Sequence, residues 1–458
     1  MLGAGSLELA PRRRRTQFSP AQVLVASVVA LIAGGAILLR LPVSASGASL
    51  STIDAIFTAT SAVCVTGLIV VDTPVDLSPF GQVVVLLLIQ VGGLGYMAIT
   101  TVVGVALGKQ LSVHERLALS EALNVHSMEG LARFALTVLK LTLAFELTGA
   151  VILAVWWMDE MGPGRAAYVG LFHAVSAFNN AGFALFSDNL MRFRSDPVVN
   201  LVITTLIIAG GLGFIVLSEL RRWRWRIRLS AHTRLVLWTS AALVAGAMVV
   251  ILFVERDNPR TLGPLPLSEA TMVAWFQAVT PRTAGFNTLD IGALRPATLF
   301  LMLVLMFIGA APGGTGGGVK ISTFMITVAV LWAMVRGSTE PTLMRRRLPQ
   351  PLVARAFSIC LIAFLALNVI AGVLLVTEGR DLLPTLFETT SAFGTVGLST
   401  GHTGSPLSLA GHFSGAGKLL LVLMMLMGRV GPLTLAVAIA RRGSPPPIRY
   451  AEGKFLIG

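Results

Sequence analysis

The chain has 458 residues, of which 55% are hydrophobic and only 12% charged. A soluble protein averages about 25% charged residues, so the composition excludes an ordinary soluble domain and specifies an integral membrane protein. The net charge of +13 has the sign of a nucleic-acid binder. The basic residues gather between apolar runs, however, where they act as topology signals, and no nucleic-acid partner is expected.

In chain order, residues 1–20 form a cytoplasmic tail carrying Arg12–Arg15. The apolar run that follows, from about Ala21 to Leu41, is too long for the core of a cleaved signal peptide and lacks a clear cleavage site. It reads as the first membrane helix. Residues 21–108 make a first unit: this helix, the segment FTATSAVCVTGL at Phe57–Leu68, and an apolar run near Phe80–Leu107 interrupted by Gly92-Gly93-Leu94-Gly95. A polar connector, 109–130, leads to a second unit, 131–221. Here helices near Leu131–Met158 and Val198–Leu220 flank FHAVSAFNNAGF at Phe172–Phe183.

A basic connector, 222–230, precedes a third unit, 231–336, in which helices near Arg234–Val254 and Ala297–Val335 flank FQAVTPRTAGF at Phe276–Phe286. After a connector at 337–350, a fourth unit spans 351–442. Its helices near Leu352–Thr377 and Lys418–Ala440 flank FETTSAFGTVGLS at Phe387–Ser399. Residues 443–458 are a C-terminal tail. Cys64 and Cys360 lie far apart and imply no disulfide.

The four flanked segments share a pattern: each begins with Phe, runs through small and polar residues, and reaches Gly followed by Leu or Phe. The third is one residue shorter between its Phe and its Gly. Such repetition is to be read before anything else. The segments are too short and polar to cross about 30 Å of hydrocarbon, yet they lie between runs that can. Each is therefore expected to be re-entrant. Irregular backbone at membrane depth is tolerated where protein shields it or where it lines a watery cavity, and a pore is the simplest such cavity. The Thr395-Val396-Gly397 sequence also opens like the TVGYG loop, whose carbonyls replace the hydration shell of potassium.

Connectors between units carry Lys109 and Arg116, then Arg221, Arg222, Arg224, Arg226 and Arg228, then Arg336, Arg345, Arg346 and Arg347. The tail adds Arg441, Arg442, Arg449 and Lys454. The opposite links are mixed or acidic: Asp159-Glu160, Glu255-Arg256-Asp257 and Glu378-Gly379-Arg380-Asp381. The positive-inside rule then puts both termini and all inter-unit connectors in the cytoplasm. The RRWRWRIR run at 221–228 could also anchor lipid headgroups or bind RNA; topology is the simpler account and is preferred.

The segments GAAPGGTGGGVK at Gly309–Lys320, MGRVGPLT at Met427–Thr434 and the terminal EGKFLIG, with the four units, resemble the Trk/Ktr/HKT superfamily of potassium transporters. The resemblance covers nearly the whole chain and is strongest to the membrane, ion-translocating subunit of bacterial Ktr systems. It implies an all-α integral membrane fold with eight spanning helices and four re-entrant pore helices, set pseudo-fourfold around one pore. It further implies potassium uptake across a bacterial inner membrane, a homodimer embedded in membrane lipid with one pore per protomer, and a cytosolic ring-forming nucleotide-binding partner of RCK type. Sodium dependence, with sodium as an activator, is common in that branch.

Four converging loops supply carbonyls without a full charge. The candidates are Val65-Thr66-Gly67, Asn180-Ala181-Gly182, Thr283-Ala284-Gly285 and Thr395-Val396-Gly397, with potassium bound at the carbonyls. The alternative is that these glycines only permit close helix packing. In Gly309–Lys320, the glycines Gly313, Gly314, Gly316, Gly317 and Gly318 and the neighbouring Pro312 cannot continue a helix. The segment should unwind, and with Thr315 and Lys320 the resemblance makes it a gate beneath the filter.

Charged residues inside apolar runs usually carry function. Arg429 is expected to bond loop carbonyls or a carboxylate below the filter. Glu146 fits either a helix-to-helix hydrogen bond or a pore role, and Glu388 could hold the fourth segment. Arg282 is expected to bond neighbouring carbonyls, and His173 to make a polar contact in its helix. No nucleophile–base set, paired-acid motif, metal-ligand spacing or GxxxxGK[ST] phosphate loop occurs, so neither an enzyme nor a cofactor of the chain's own is expected. A secondary transporter of another cation or a small organic solute is the alternative, since broken helices suit it.

Overall fold

The computed structural model describes residues 20–95, 131–223, 228–338, 340–401 and 405–439. The tails, residues 96–108 at the end of the first unit, the 109–130 connector, and Arg224 and Arg226 of the basic connector lie outside the described residues. Among the described residues the fold is helical apart from one two-stranded hairpin, β1 (Thr342–Leu343) and β2 (Arg346–Arg347), in the connector before the last unit. Met344 and Arg345 turn it with positive φ. Strands of two residues carry no alternation that a sequence could show.

Each unit opens with a long leading helix: α1 (Pro20–Arg40), α5 (Leu131–Met161), α9 (Ala231–Glu255) and α13 (Gln350–Glu378). All four are long and apolar enough to cross a membrane. Their outward residues are apolar and bare, with Phe253 85% and Val376 86% exposed, which lipid rather than water accommodates. A short helix follows each: α2 (Thr52–Val63), α6 (Pro163–Phe178), α10 (Leu267–Val279) and α14 (Leu382–Gly394). After a loop, which in the first unit includes the single turn α3 (Thr73–Asp76), comes a trailing helix: α4 (Pro79–Leu94), α7 (Pro197–Leu212), α11 (Pro296–Phe307) or α15 (Gly415–Val430).

The trailing helices start where local chemistry dictates. Ser78, Asp196 and Ser414 accept hydrogen bonds from N–H groups in the first turns of α4, α7 and α15. Proline stands at the first position of α4, α7 and α11, where its missing N–H costs nothing.

The far ends of the second and fourth differ from the single spans read in the sequence. Two of the expected spans bend sharply into a second helix: α7 turns by 102° into α8 (Phe214–Arg222), and α15 by 105° into α16 (Pro432–Ile439). The hinges are Gly213 and Gly431, at φ +89° and +96°, a region that glycine enters freely. The third trailing helix is broken outright between α11 and α12 (Ile321–Val335). Among the described residues there are thus four spans by length, or six if each bent pair counts as one.

Each leading helix packs on its own short helix. Each trailing helix also packs on the short helix of the next unit: α4 on α6, α7 on α10, α11 on α14, and α15 back on α2. The packing therefore closes into a cycle. An ion pair between Lys418 and Asp54, at 2.7 Å, ties the last unit to the first.

Candidate functional site

The C-terminal ends of the four short helices meet at the middle of that cycle. In each unit the chain leaves its short helix through a residue with positive φ two positions before the glycine: Val65 at +51°, Asn180 at +59°, Thr283 at +75° and Thr395 at +49°. The glycines follow at φ +89° (Gly67), +70° (Gly182), +78° (Gly285) and +90° (Gly397). A β-branched or amide residue in this region is uncommon, and four in register mark one shared backbone path.

The glycines contact one another in sequence order. The place where a Cβ would stand on Gly67 is occupied by the carbonyl oxygen of Ala181; on Gly182 by that of Ala284; on Gly285 by that of Val396; and on Gly397 by that of Thr66. All twelve residues named from the sequence are thus brought together in one closed ring, and all twelve are buried.

One feature of the ring was missed in the sequence. Four residues after the Phe of each copy stands a hydroxyl, Ser61, Ser176, Thr280 or Ser391, which braces the turn. Ser61 Oγ donates to the Leu68 carbonyl at 2.8 Å and Ser176 Oγ to that of Phe183 at 2.7 Å. Thr280 Oγ1 donates to the Phe286 carbonyl. Gly67 N and Gly397 N donate to Ser61 Oγ and Ser391 Oγ at 3.0 and 3.1 Å. The signal was present as a Ser/Thr at constant offset from the Phe.

On one side of the ring a recess opens, lined by Gly67, Gly182, Gly285 and Gly397 at its floor and by Asp72 and Asn189 in its wall. Asp72, in the loop after the first ring segment, accepts a hydrogen bond from Ser187 Oγ at 2.5 Å. Burial holds its carboxyl above the usual range; the Ser187 hydroxyl opposes this, and nearby Asp76 adds to it.

On the other side lies the segment between α11 and α12. It is non-helical through Lys320, as its glycines required, but it is held in one conformation by many bonds. Ala311 N donates to Gly211 O at 3.0 Å, Thr315 N to Gly210 O at 3.2 Å and Gly318 N to Gly428 O at 3.1 Å. These acceptors are carbonyls freed where α7 and α15 approach their bends. Thr315 Oγ1 donates to Phe178 O at 3.2 Å, Gly317 N to Thr395 Oγ1 at 2.9 Å, and Lys320 Nζ to Gly316 O. Gly316 sits against the Thr283 side chain, and Gly313 and Gly318 take positive φ.

Arg429 projects from the end of α15 and donates to Thr315 O in this segment. Its other amino nitrogen donates to Gly92 O and, at 3.2 Å, to Gly93 O at the end of α4. The arginine thus joins the loop to the opposite unit through carbonyls, with no carboxylate among its partners in the described residues.

The remaining expectations resolve individually. Glu388 accepts from Ser399 Oγ at 2.6 Å and Ala410 N at 2.8 Å, bracing the chain just beyond Gly397. His173 makes a structural contact, Nδ1 to Val169 O at 2.8 Å, and stacks on Phe186 with centroids 5.0 Å apart. The buried Nε of Arg282 has no hydrogen-bond partner among the described residues. Cys64 and Cys360 are free, and no cluster of metal ligands occurs among the described residues.

Helices long and apolar enough to cross a membrane, with bare apolar outer faces, define an integral membrane protein. The family model for TrkH, described as a cation transport protein, matches residues 6–444; the chain belongs to that family. It is 40% identical over 442 residues to the Ktr system potassium uptake protein B of Bacillus subtilis, covering 96% of this chain and 97% of that one. It is 37% identical to the protein of the same name from Vibrio alginolyticus over 98% of this chain and 97% of the relative. The potassium/sodium uptake protein NtpJ of Enterococcus hirae is 36% identical over 98% and 99% of the two chains. In fold, the chain is similar to the crystal structure of the potassium transporter TrkH from Vibrio parahaemolyticus, with TM-score 0.74 and 20% identity over 94% of this chain and 86% of that one.

Proposed function

We propose that this chain takes up potassium through a single channel-like path whose narrowest part is the four-glycine ring. The observation that carries the reading is the closed cycle of glycine-to-carbonyl contacts running through all four units. Four backbone loops aimed at one axis offer carbonyl oxygens in place of water, and four short helices end there with their partially negative C-termini toward the ring. The names of the two Ktr relatives support potassium as the ion, and that of NtpJ supports sodium as a second ion, co-transported or activating.

In the same proposal, residues 313–320 with Arg429 form the gate on the cytoplasmic side of the ring. The chain works as a homodimer in the inner membrane, both termini cytoplasmic, and a cytosolic nucleotide-binding ring of RCK type shifts the gate. A small energy gap between loop positions is all such a partner must overcome. Expression in a cell lacking potassium transport tests the reading: growth and uptake at low potassium are expected. Gly285→Ser and Gly397→Ser should each lower potassium preference over sodium, because a side chain would force a neighbouring carbonyl out of the ring. Unchanged selectivity in both variants overturns the ring as the filter.

A further inference from the structure

Behind the second quarter of the ring lies a buried polar cluster that the transport path itself does not use. Glu146, on the leading helix α5, is 3% exposed. Its carboxyl accepts from Asn179 Nδ2 at 2.8 Å and from Gln90 Nε2 at 3.1 Å, and Asn179 Nδ2 also reaches Gln90 Oε1 at 3.0 Å. Asn179 is the last residue before the ring turn begins at Asn180. Gln90 belongs to the final turns of α4, whose Gly92 and Gly93 carbonyls receive Arg429.

Two details make the carboxyl more than a helix staple. Asn179 Oδ1 is buried and accepts no hydrogen bond, so the amide keeps its orientation by what its nitrogen gains, and Glu146 is the carboxyl it meets. The Asn179 side chain also fills the space where a Cβ on Gly93 would stand. A rotation of Asn179 therefore disturbs the end of α4 as well as the ring turn. The residues at the same offset in the other units are Cys64, Arg282 and Gly394. None can make this amide-to-carboxyl contact, so the bracket belongs to the second quarter alone.

We propose that Glu146 is a positioning residue for ion selectivity: by orienting Asn179 and Gln90, it sets the second quarter of the ring and the Arg429 docking carbonyls together. The proposal rests on the ring being the filter. Purified protein in liposomes, with potassium and sodium flux measured per folded molecule, provides the test. Asn179→Asp sets two carboxyls against each other and should lower the potassium-to-sodium ratio on the order of tenfold, as loss of one buried hydrogen bond does. Glu146→Ala should move the ratio in the same direction, and Glu146→Gln, which keeps an acceptor, should largely retain it.

The decisive variant is the double exchange Glu146→Gln with Asn179→Asp. It restores a donor–acceptor pair with the roles reversed and should recover most of the ratio lost in Asn179→Asp alone. A purely structural role would lower the yield of folded protein and leave the ratio at the wild-type value in every variant; that result, or failure of the double exchange to recover the ratio, overturns the proposal. Gly182→Ser measured alongside separates the two readings. If it lowers the ratio while the Glu146 and Asn179 variants do not, only the role of Glu146 fails; if it too leaves the ratio unchanged, the filter assignment fails with it.

Discussion

Ser391 shows how much of the ring depends on groups that point away from its axis. Its hydroxyl accepts from Gly397 N while its own carbonyl accepts from Val396 N at 2.9 Å. Ser391→Ala strands the Gly397 N–H in a buried turn, which costs about 1–3 kcal/mol. The expected outcome is a lower unfolding temperature and weaker potassium affinity, read from thermal denaturation and the concentration dependence of uptake; an unchanged affinity would show that the brace is dispensable. Asp72 gives a pH dependence instead. Burial raises its carboxyl pKa, so the native state takes up a proton at higher pH than the unfolded chain does. The cost of holding the charge is fully present above the raised native pKa and disappears as pH falls toward the ordinary aspartate value. Asp72→Asn should remove that part of the pH dependence of stability, flattening the unfolding temperature over this window relative to wild type. The glycines themselves were legible because only glycine fits their backbone and the pattern recurs. Val65, Thr283 and Thr395 were legible only by offset, since nothing in their chemistry announces a positive φ; Asn180 is of a type that enters that region more readily.

At the scale of elements, the order of leading helix, short segment and trailing helix was readable from hydropathy and the repeated Phe…Gly pattern. The bends in α7 and α15 were not. An apolar run looks continuous across Gly210-Gly211-Leu212-Gly213, and a helix accepts isolated glycines; the break becomes visible only when the freed carbonyls are seen to meet the 309–320 segment. The unwound segment takes a bonded conformation here, because glycine without a Cβ lets the loop press against Thr283 and Thr395. The loop therefore rests directly on the ring. Deleting Gly313–Gly317 is expected to raise potassium flux per folded protein and to weaken its dependence on the regulatory partner. Arg429→Ala should act in the same direction by releasing Thr315 O from Gly92 O. Wild-type flux from a folded deletion variant without the partner would show that the segment does not obstruct the path.

For the whole molecule, composition made the membrane environment plain, and four units in one chain were legible from their shared pattern. Which carbonyl meets which glycine was not, because those contacts are made by backbone atoms that no side-chain pattern encodes. Among the described residues the connector before the last unit is the short hairpin with Arg345, Arg346 and Arg347 exposed; in the proposed function nucleotide sensing belongs to a second polypeptide. The purified chain in liposomes should show flux that ATP and ADP leave unchanged, and adding the regulatory subunit should confer the response. Full nucleotide dependence without it would contradict the assignment. The ring has one more consequence. In a channel of four identical chains, one altered codon changes every quarter at once. Here Val65, Asn180, Thr283 and Thr395 are encoded separately, and the third copy is already a residue shorter. Each quarter can be inherited, tuned or lost on its own, so ion preference in this architecture can change in single-quarter steps.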